Sequence, residues 1–176
     1  PKAAVMADLL KGLAFLHSRG VVHQGLAPVA VVLLFSAQKA PRQAQILDLA
    51  GSAVIGCVSE AASGLPEYRA PEIHLGTTDL HPSQDIWAIG AIMALLATGV
   101  QFFETGLTYR EDMHSITRML GNPSDMDCAS MISLRLWSAD FSVAILPKPW
   151  KARMDGGCGP GAGSIMEQMF FFSSSR

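Results

Sequence analysis

Residues Leu10–Leu33 read LKGLAFLHSRGVVHQGLAPVAVVL, and this stretch decides the fold. Upstream and into it, Val5, Met6, Leu9, Leu10, Leu13 and Leu16 recur at helical spacing, which predicts a helix over Ala3–His17. Ser18, Arg19 and Gly20 supply a stop, because glycine accepts the left-handed conformation that caps a helix. The polar loop that follows leads into an apolar run, Val29–Phe35, and a second run, Ile46–Leu49, lies beyond the polar stretch Ser36–Gln45. The two runs predict a small pair of strands.

Working outward, Gly51–Pro71 has no sustained period and reads as a long loop. Asp85–Thr98 reads as a buried helix closed by Gly99. Thr108 with Glu111 forms a capping box, opening an amphipathic helix through Met113, Ile116 and Leu120 that Gly121, Asn122 and Pro123 end. The glycine-rich stretch 154–163 predicts a flexible loop, and Ser164 with Glu167 predicts a second capping box at a last short helix. The expected fold is mainly α, one domain over residues 1–176.

Composition narrows the function classes. Only 16% of the 176 residues are charged, against a usual share of about 25%, while 49% are hydrophobic. A surface that meets partners, a chain whose natural neighbours are missing, or an Ala-rich large core would each give this balance. The net charge of −2, without a basic run, argues against nucleic acid as a partner. Cys57, Cys128 and Cys158 are odd in number and widely spaced, which fits an intracellular, reducing setting better than a disulfide framework. No apolar run reaches the roughly 20 residues of a membrane span, and no signal-like segment follows Pro1. The five histidines show no metal-binding spacing, and no cofactor is expected.

The opening stretch resembles the catalytic-loop region of protein kinases, whose pattern is a helix ending L-H-x-x-G followed by V-H-R-D-L-K-P-x-N. Leu16, His17, Gly20, Val21, Val22, His23, Leu26 and Pro28 fall in register. Ile46-Leu47-Asp48-Leu49-Ala50-Gly51 stands where the D-F-G segment would lie, and Tyr68-Arg69-Ala70-Pro71-Glu72 matches Y-R-A-P-E. Asp85-Ile86-Trp87 matches the D-I-W helix start, and Leu120-Gly121-Asn122-Pro123 is similar to the cyclin-dependent and MAP kinase branch. Arg176 stands at the arginine of the closing D-P-x-x-R. The resemblance covers the larger, C-terminal lobe, with a small β-hairpin at the catalytic loop. The smaller N-terminal lobe has no counterpart in the chain.

What the resemblance implies for chemistry turns on substitutions. The proton-accepting Asp, the phosphate-touching Lys and the metal-holding Asn are replaced by Gly25, Ala27 and Ala30, and the Arg before the Asp by Gln24. None of the four carries a carboxylate or a cation. Asp48 is a weak metal candidate, since a lone carboxylate holds magnesium poorly. His23, Glu72, Asp85 and Arg176 are implied to have structural roles: Glu72 would pair with Arg176, Asp85 would accept backbone hydrogen bonds from the loop, and His23 would pack beneath it.

The expectation is therefore a non-enzymatic pseudokinase-like scaffold whose partners are other protein subunits. The alternatives are a divergent Ser/Thr kinase with its small lobe upstream, or a nucleotide-binding regulator. A shorter similarity, Ile46–Ala53, to thylakoid state-transition kinases would fit an organellar, plastid complex.

Overall fold

In the computed structural model the described residues are 2–39, 41–57, 64–121, 131–138 and 150–170. Among them, α1 (Lys2–Ser18) buries Val5, Met6, Leu9 and Leu13 along one stripe. It packs against a hairpin of β2 (Val31–Phe35) and β3 (Pro41–Ile46), in which Val31 faces Ile46 and Leu33 faces Ala44. A second antiparallel pair, β1 (Val21–Val22) with β4 (Ala53–Val54), joins the end of α1 to a stretch expected to be loop throughout. Two-residue strands carry no period, so a pair of this kind leaves no signal in the sequence.

The second strand of the hairpin also begins earlier than the apolar run suggests. Pro41 takes its first position, where a missing N–H costs no ladder bond. The strand stops before Asp48, whose backbone is left-handed at φ 60°, and Leu49–Gly51 turns as a 3-10 helix.

The centre of the fold is α3 (Pro82–Thr98), with the short α2 (Pro71–His74) before it and α4 (Tyr109–Leu120) after it. α3 starts one turn earlier than expected, with Pro82 in its first turn and the His81 ring accepting the Ser83 N–H as its cap. Trp87, Ile89, Ile92 and Met93 are all buried on it. Trp87 stacks on Phe103 at 5.4 Å between ring centroids and meets Phe170 edge-on at 5.0 Å, and Phe102 meets Trp150 at 5.5 Å. Gly90 makes room for this cluster: a Cβ there would lie 2.8 Å from the Phe170 ring. Trp150 is thus interior, and Trp137 is partly buried against the core.

The capping box of α4 is fully formed. Thr108 Oγ1 accepts the Glu111 N–H at 3.3 Å, and Glu111 Oε2 accepts the Thr108 N–H at 3.0 Å. Thr108→Ala is expected to lower stability by about 1 kcal/mol, read as an earlier urea midpoint with an unchanged slope.

The glycine-rich stretch is the largest departure. It forms α5 (Trp150–Cys158) and leads into α6 (Ala162–Met169), rather than a flexible loop. Its glycines serve close packing: a Cβ on Gly157 would collide with the Ala97 carbonyl of α3, and one on Gly163 would lie 2.9 Å from the Lys151 carbonyl. Tertiary contact overrides helix propensity here. The expected capping box at Ser164 is absent, because α6 begins at Ala162 with Gly161 as its left-handed cap and Ser164 inside it.

Candidate functional site

The loop His23–Ala30 is shaped by a single buried carboxylate. Asp85, in the first turn of α3, is 1% exposed. Its Oδ2 accepts the His23 N–H at 2.8 Å, and its Oδ1 accepts the Gln24 N–H at 3.0 Å. The His17 ring completes the set, with Nε2 2.8 Å from Oδ2. Since a carboxylate only accepts, His17 must donate from Nε2. Gln24 is held at φ 65°, a left-handed conformation unusual for a side-chain-bearing residue, and the Asp85 bond sits beside it.

His23 ties the other side of the loop. Its Nε2 donates to the Leu47 carbonyl at 2.9 Å, and its Nδ1 accepts the Gly25 N–H at 3.3 Å. This pattern needs the neutral Nε2–H tautomer. The Leu47 N–H in turn donates to the Ala30 carbonyl at 2.8 Å, so the loop is fastened at both ends to the segment carrying Asp48.

Leu26, Ala27 and Ala30 are buried in the core, while Gly25 is half-buried. The methyl groups of Ala27 and Ala30 therefore add to packing, and no cation or metal ligand projects from those positions. Asp48 is exposed. Among the described residues no three His, Cys, Asp or Glu side chains converge on a point that could hold a metal ion. A magnesium–nucleotide complex would find only Asp48 of the side chains the family pattern assigns to it, so these residues do not fit that group.

Glu72 in α2 is buried and lines a cavity of about 280 Å³ with Thr77, Asp79, His81 and Gln84. Burial raises its carboxyl to about 7, with its backbone hydrogen bond opposing. No cation pairs with it among the described residues, and Arg176, the partner expected for it, lies outside them.

His74 has no role in the sequence pattern, yet the fold gives it one beside this site. Its Nδ1 lies 3.3 Å from Asp112 on α4, and its Nε2 lies 3.1 Å from the Pro66 carbonyl. Burial lowers its affinity for a proton, Asp112 opposes this, and Arg69 adds to the lowering. The folded state then binds this proton less readily than the unfolded chain, whose histidine titrates near 6.5. Stability from this group is fully present above 6.5 and is lost progressively as pH falls from there toward the lower value of the folded state. Thermal midpoints from pH 7.5 down to 5 are expected to show the loss, and His74→Gln to flatten it.

The protein kinase domain profile matches residues 2–171. The chain belongs to the protein kinase domain family. The chain is 29% identical over 173 residues to the mitogen-activated protein kinase mpk-1 of Caenorhabditis elegans, covering 94% of the chain and 37% of that protein. It is 30% identical over 174 residues to the mitogen-activated protein kinase p38b of Drosophila melanogaster, covering 96% and 45%. It is also 31% identical over 136 residues to the cyclin-dependent kinase B1-1 of Arabidopsis thaliana, covering 76% and 42%. The chain thus spans less than half the length of these relatives, and its likeness lies near the MAP kinase and cyclin-dependent branch.

These matches correct one expectation. The substitutions at Gly25, Ala27 and Ala30 suggest a chain that is not an enzyme, whereas family membership and kinase relatives point to a protein kinase enzyme. Side-chain loss at three positions is a local observation, and it does not outweigh a family match along nearly the whole chain. Among the described residues no helix is long and apolar enough to cross a membrane.

Proposed function

We propose that this kinase lobe acts as a protein-binding platform, a scaffold within a larger assembly of protein subunits. The observation that carries the reading is the contrast within one loop. Asp85 holds its backbone with short hydrogen bonds, His17 braces Asp85 and His23 ties the loop to Leu47, while Gly25, Ala27 and Ala30 present only hydrogen and methyl groups. A loop kept for its shape is what a docking module requires. Structural roles for His23, Glu72 and Asp85 belong to the same reading.

A surface suited to docking lies close by. Phe15 and Leu49, each half exposed or more, share a groove of about 420 Å³ with Asp8, Lys11 and Ile46. Apolar side chains in a concave surface rimmed by charge favour a protein partner.

The test uses the complete protein at its native level. The platform reading expects a stoichiometric complex that survives Asp48→Ala and dissociates with Asp85→Ala. It fails if the protein runs alone, or if Asp48→Ala abolishes both phosphotransfer and cellular role together.

A second reading has its own support in Asp48, which stands at the family's metal position, and in relatives that are whole kinases. On it the chain is the large lobe of a divergent Ser/Thr kinase whose small lobe lies upstream. Transfer would then need a proton acceptor from outside Gly25, Ala27 and Ala30. A Gly-rich loop and a strand lysine encoded upstream would favour it. A thermal shift with ATP and magnesium would separate nucleotide binding from both.

A further inference from the structure

The cavity beside α2 carries two acids, and among the described residues no lysine or arginine lines it. Glu72, 7% exposed, and Gln84, 5% exposed, form its buried end. Asp79 is exposed and marks its mouth, and Leu80 and Leu134 supply apolar wall. Among the described residues the Glu72 carboxyl has only its own backbone N–H as a partner. A carboxyl this deeply buried, with accepting capacity unused, points to a donor that comes from a ligand.

The chain between the two acids is tied down. The Thr77 N–H donates to the Glu72 carbonyl at 3.0 Å, and Thr77 Oγ1 accepts the Asp79 N–H at 3.2 Å. Gln84 Nε2 donates to the Asp79 carbonyl at 2.8 Å, which leaves Gln84 Oε1 as an acceptor. With the two oxygens of an ionised Glu72, the buried end offers as many accepting oxygens as an ammonium has N–H bonds. His81, at the edge of the cavity, is already engaged, since its Nδ1 accepts the Ser83 N–H as the cap of α3. A volume of about 280 Å³ lies at the small end of ligand sites, and leucine walls suit a chain of methylenes.

We propose that this cavity binds a short aliphatic diamine, with one ammonium held by Glu72 and Gln84, the methylene chain along Leu80 and Leu134, and the second ammonium at Asp79. The inference does not rest on the platform reading, because it uses no residue of the loop His23–Ala30. It carries a pH signature. The Glu72 carboxyl titrates near 7 in the free protein, whereas an aliphatic ammonium keeps its charge well above that. Below 7 the ligand must therefore displace a proton from Glu72, and its affinity falls. Asp79 and His81 are the other titratable groups lining the cavity.

Calorimetry on the complete protein, with 1,4-diaminobutane as the probe, tests this. The unmodified protein should bind it at pH 8, and about tenfold more weakly at pH 6. Glu72→Gln removes a buried charge and should fold at least as well, yet bind about tenfold more weakly or worse at pH 8. Asp79→Asn should weaken the diamine several-fold and leave butylamine unchanged. His81→Asn keeps an accepting cap for α3, and the pH dependence should persist in it. No binding at pH 8 by the unmodified protein overturns the proposal, as does equal binding by Glu72→Gln. Loss of the pH dependence in His81→Asn overturns Glu72 as the group displaced. Butylamine binding as tightly as the diamine overturns the two-ended assignment. Binding seen only in Arg176→Gln overturns the site as a whole, since the cavity would then serve the chain's own guanidinium.

Discussion

Asp85→Ala is expected to destabilise the chain by about 3–5 kcal/mol, a large share of the stability of a domain this size. The carboxylate is 1% exposed and receives three donors: the His23 and Gln24 amides and the His17 ring. Removing it strands two backbone N–H groups in the interior, each of which costs about 1–3 kcal/mol when unmet. It also removes the bond that meets the Gln24 amide at φ 65°. Asp85→Asn refines the test, since an amide offers one accepting oxygen and turns its NH2 toward a donor. A loss of about 2 kcal/mol or more is expected there. Urea denaturation reads both, and exchange of the His23 and Gln24 amides should accelerate selectively. A loss below about 1 kcal/mol for the alanine variant would mean that the loop holds its shape without Asp85.

Glu72→Gln is expected to stabilise the protein at neutral pH by up to about 3 kcal/mol. The carboxyl ionises near 4.5 in the unfolded chain and near 7 in the fold, where burial disfavours its charge. Between those values the folded state keeps a proton that the unfolded state has released. Stability therefore falls as pH rises through this window, and the full loss is reached above about 7. Glutamine keeps the shape and removes the charge, so the two proteins should match near pH 4 and diverge toward pH 8. The opposite sign, with Glu72 titrating below its ordinary value, would place a cation beside it, and Arg176 is the one the sequence puts forward. Because His74 and Glu72 respond to pH in opposite directions, the Glu72→Gln background is also the cleaner one in which to read the histidine.

The parts legible in the sequence are those carried by local chemistry. The periodicity of Val5, Met6, Leu9 and Leu13 marks α1, and Thr108 with Glu111 marks the start of α4. The loop residues are legible as well, since His23, Gly25, Ala27, Ala30 and Asp85 stand in a motif of known order. His17 lies inside the same motif, where its pattern gives it no role toward Asp85. Its place before Ser-Arg-Gly was the available signal, since that puts it at the helix end that meets the loop. His74 and Asp112 have no signal of that kind, because 38 residues separate them and only the packing of α2 on α4 brings them together.

Chain order and spacing were thus enough to determine the protein kinase domain family, the helices with strong periods and the identities of the loop residues. Tertiary contact decided the remainder. Gly157 and Gly163 read as breakers in a linear chain, yet in the fold they are the residues small enough to let α5 approach α3 and α6. Asp48 reads as the acid of a metal motif, and the fold leaves it exposed on a left-handed turn. Gly25 reads as an absence, and the fold gives that absence a use, as the surface on which Gly64 rests. The reason is the same throughout: propensity acts over a few residues, whereas close approach, burial and proton affinity depend on neighbours that are distant in sequence.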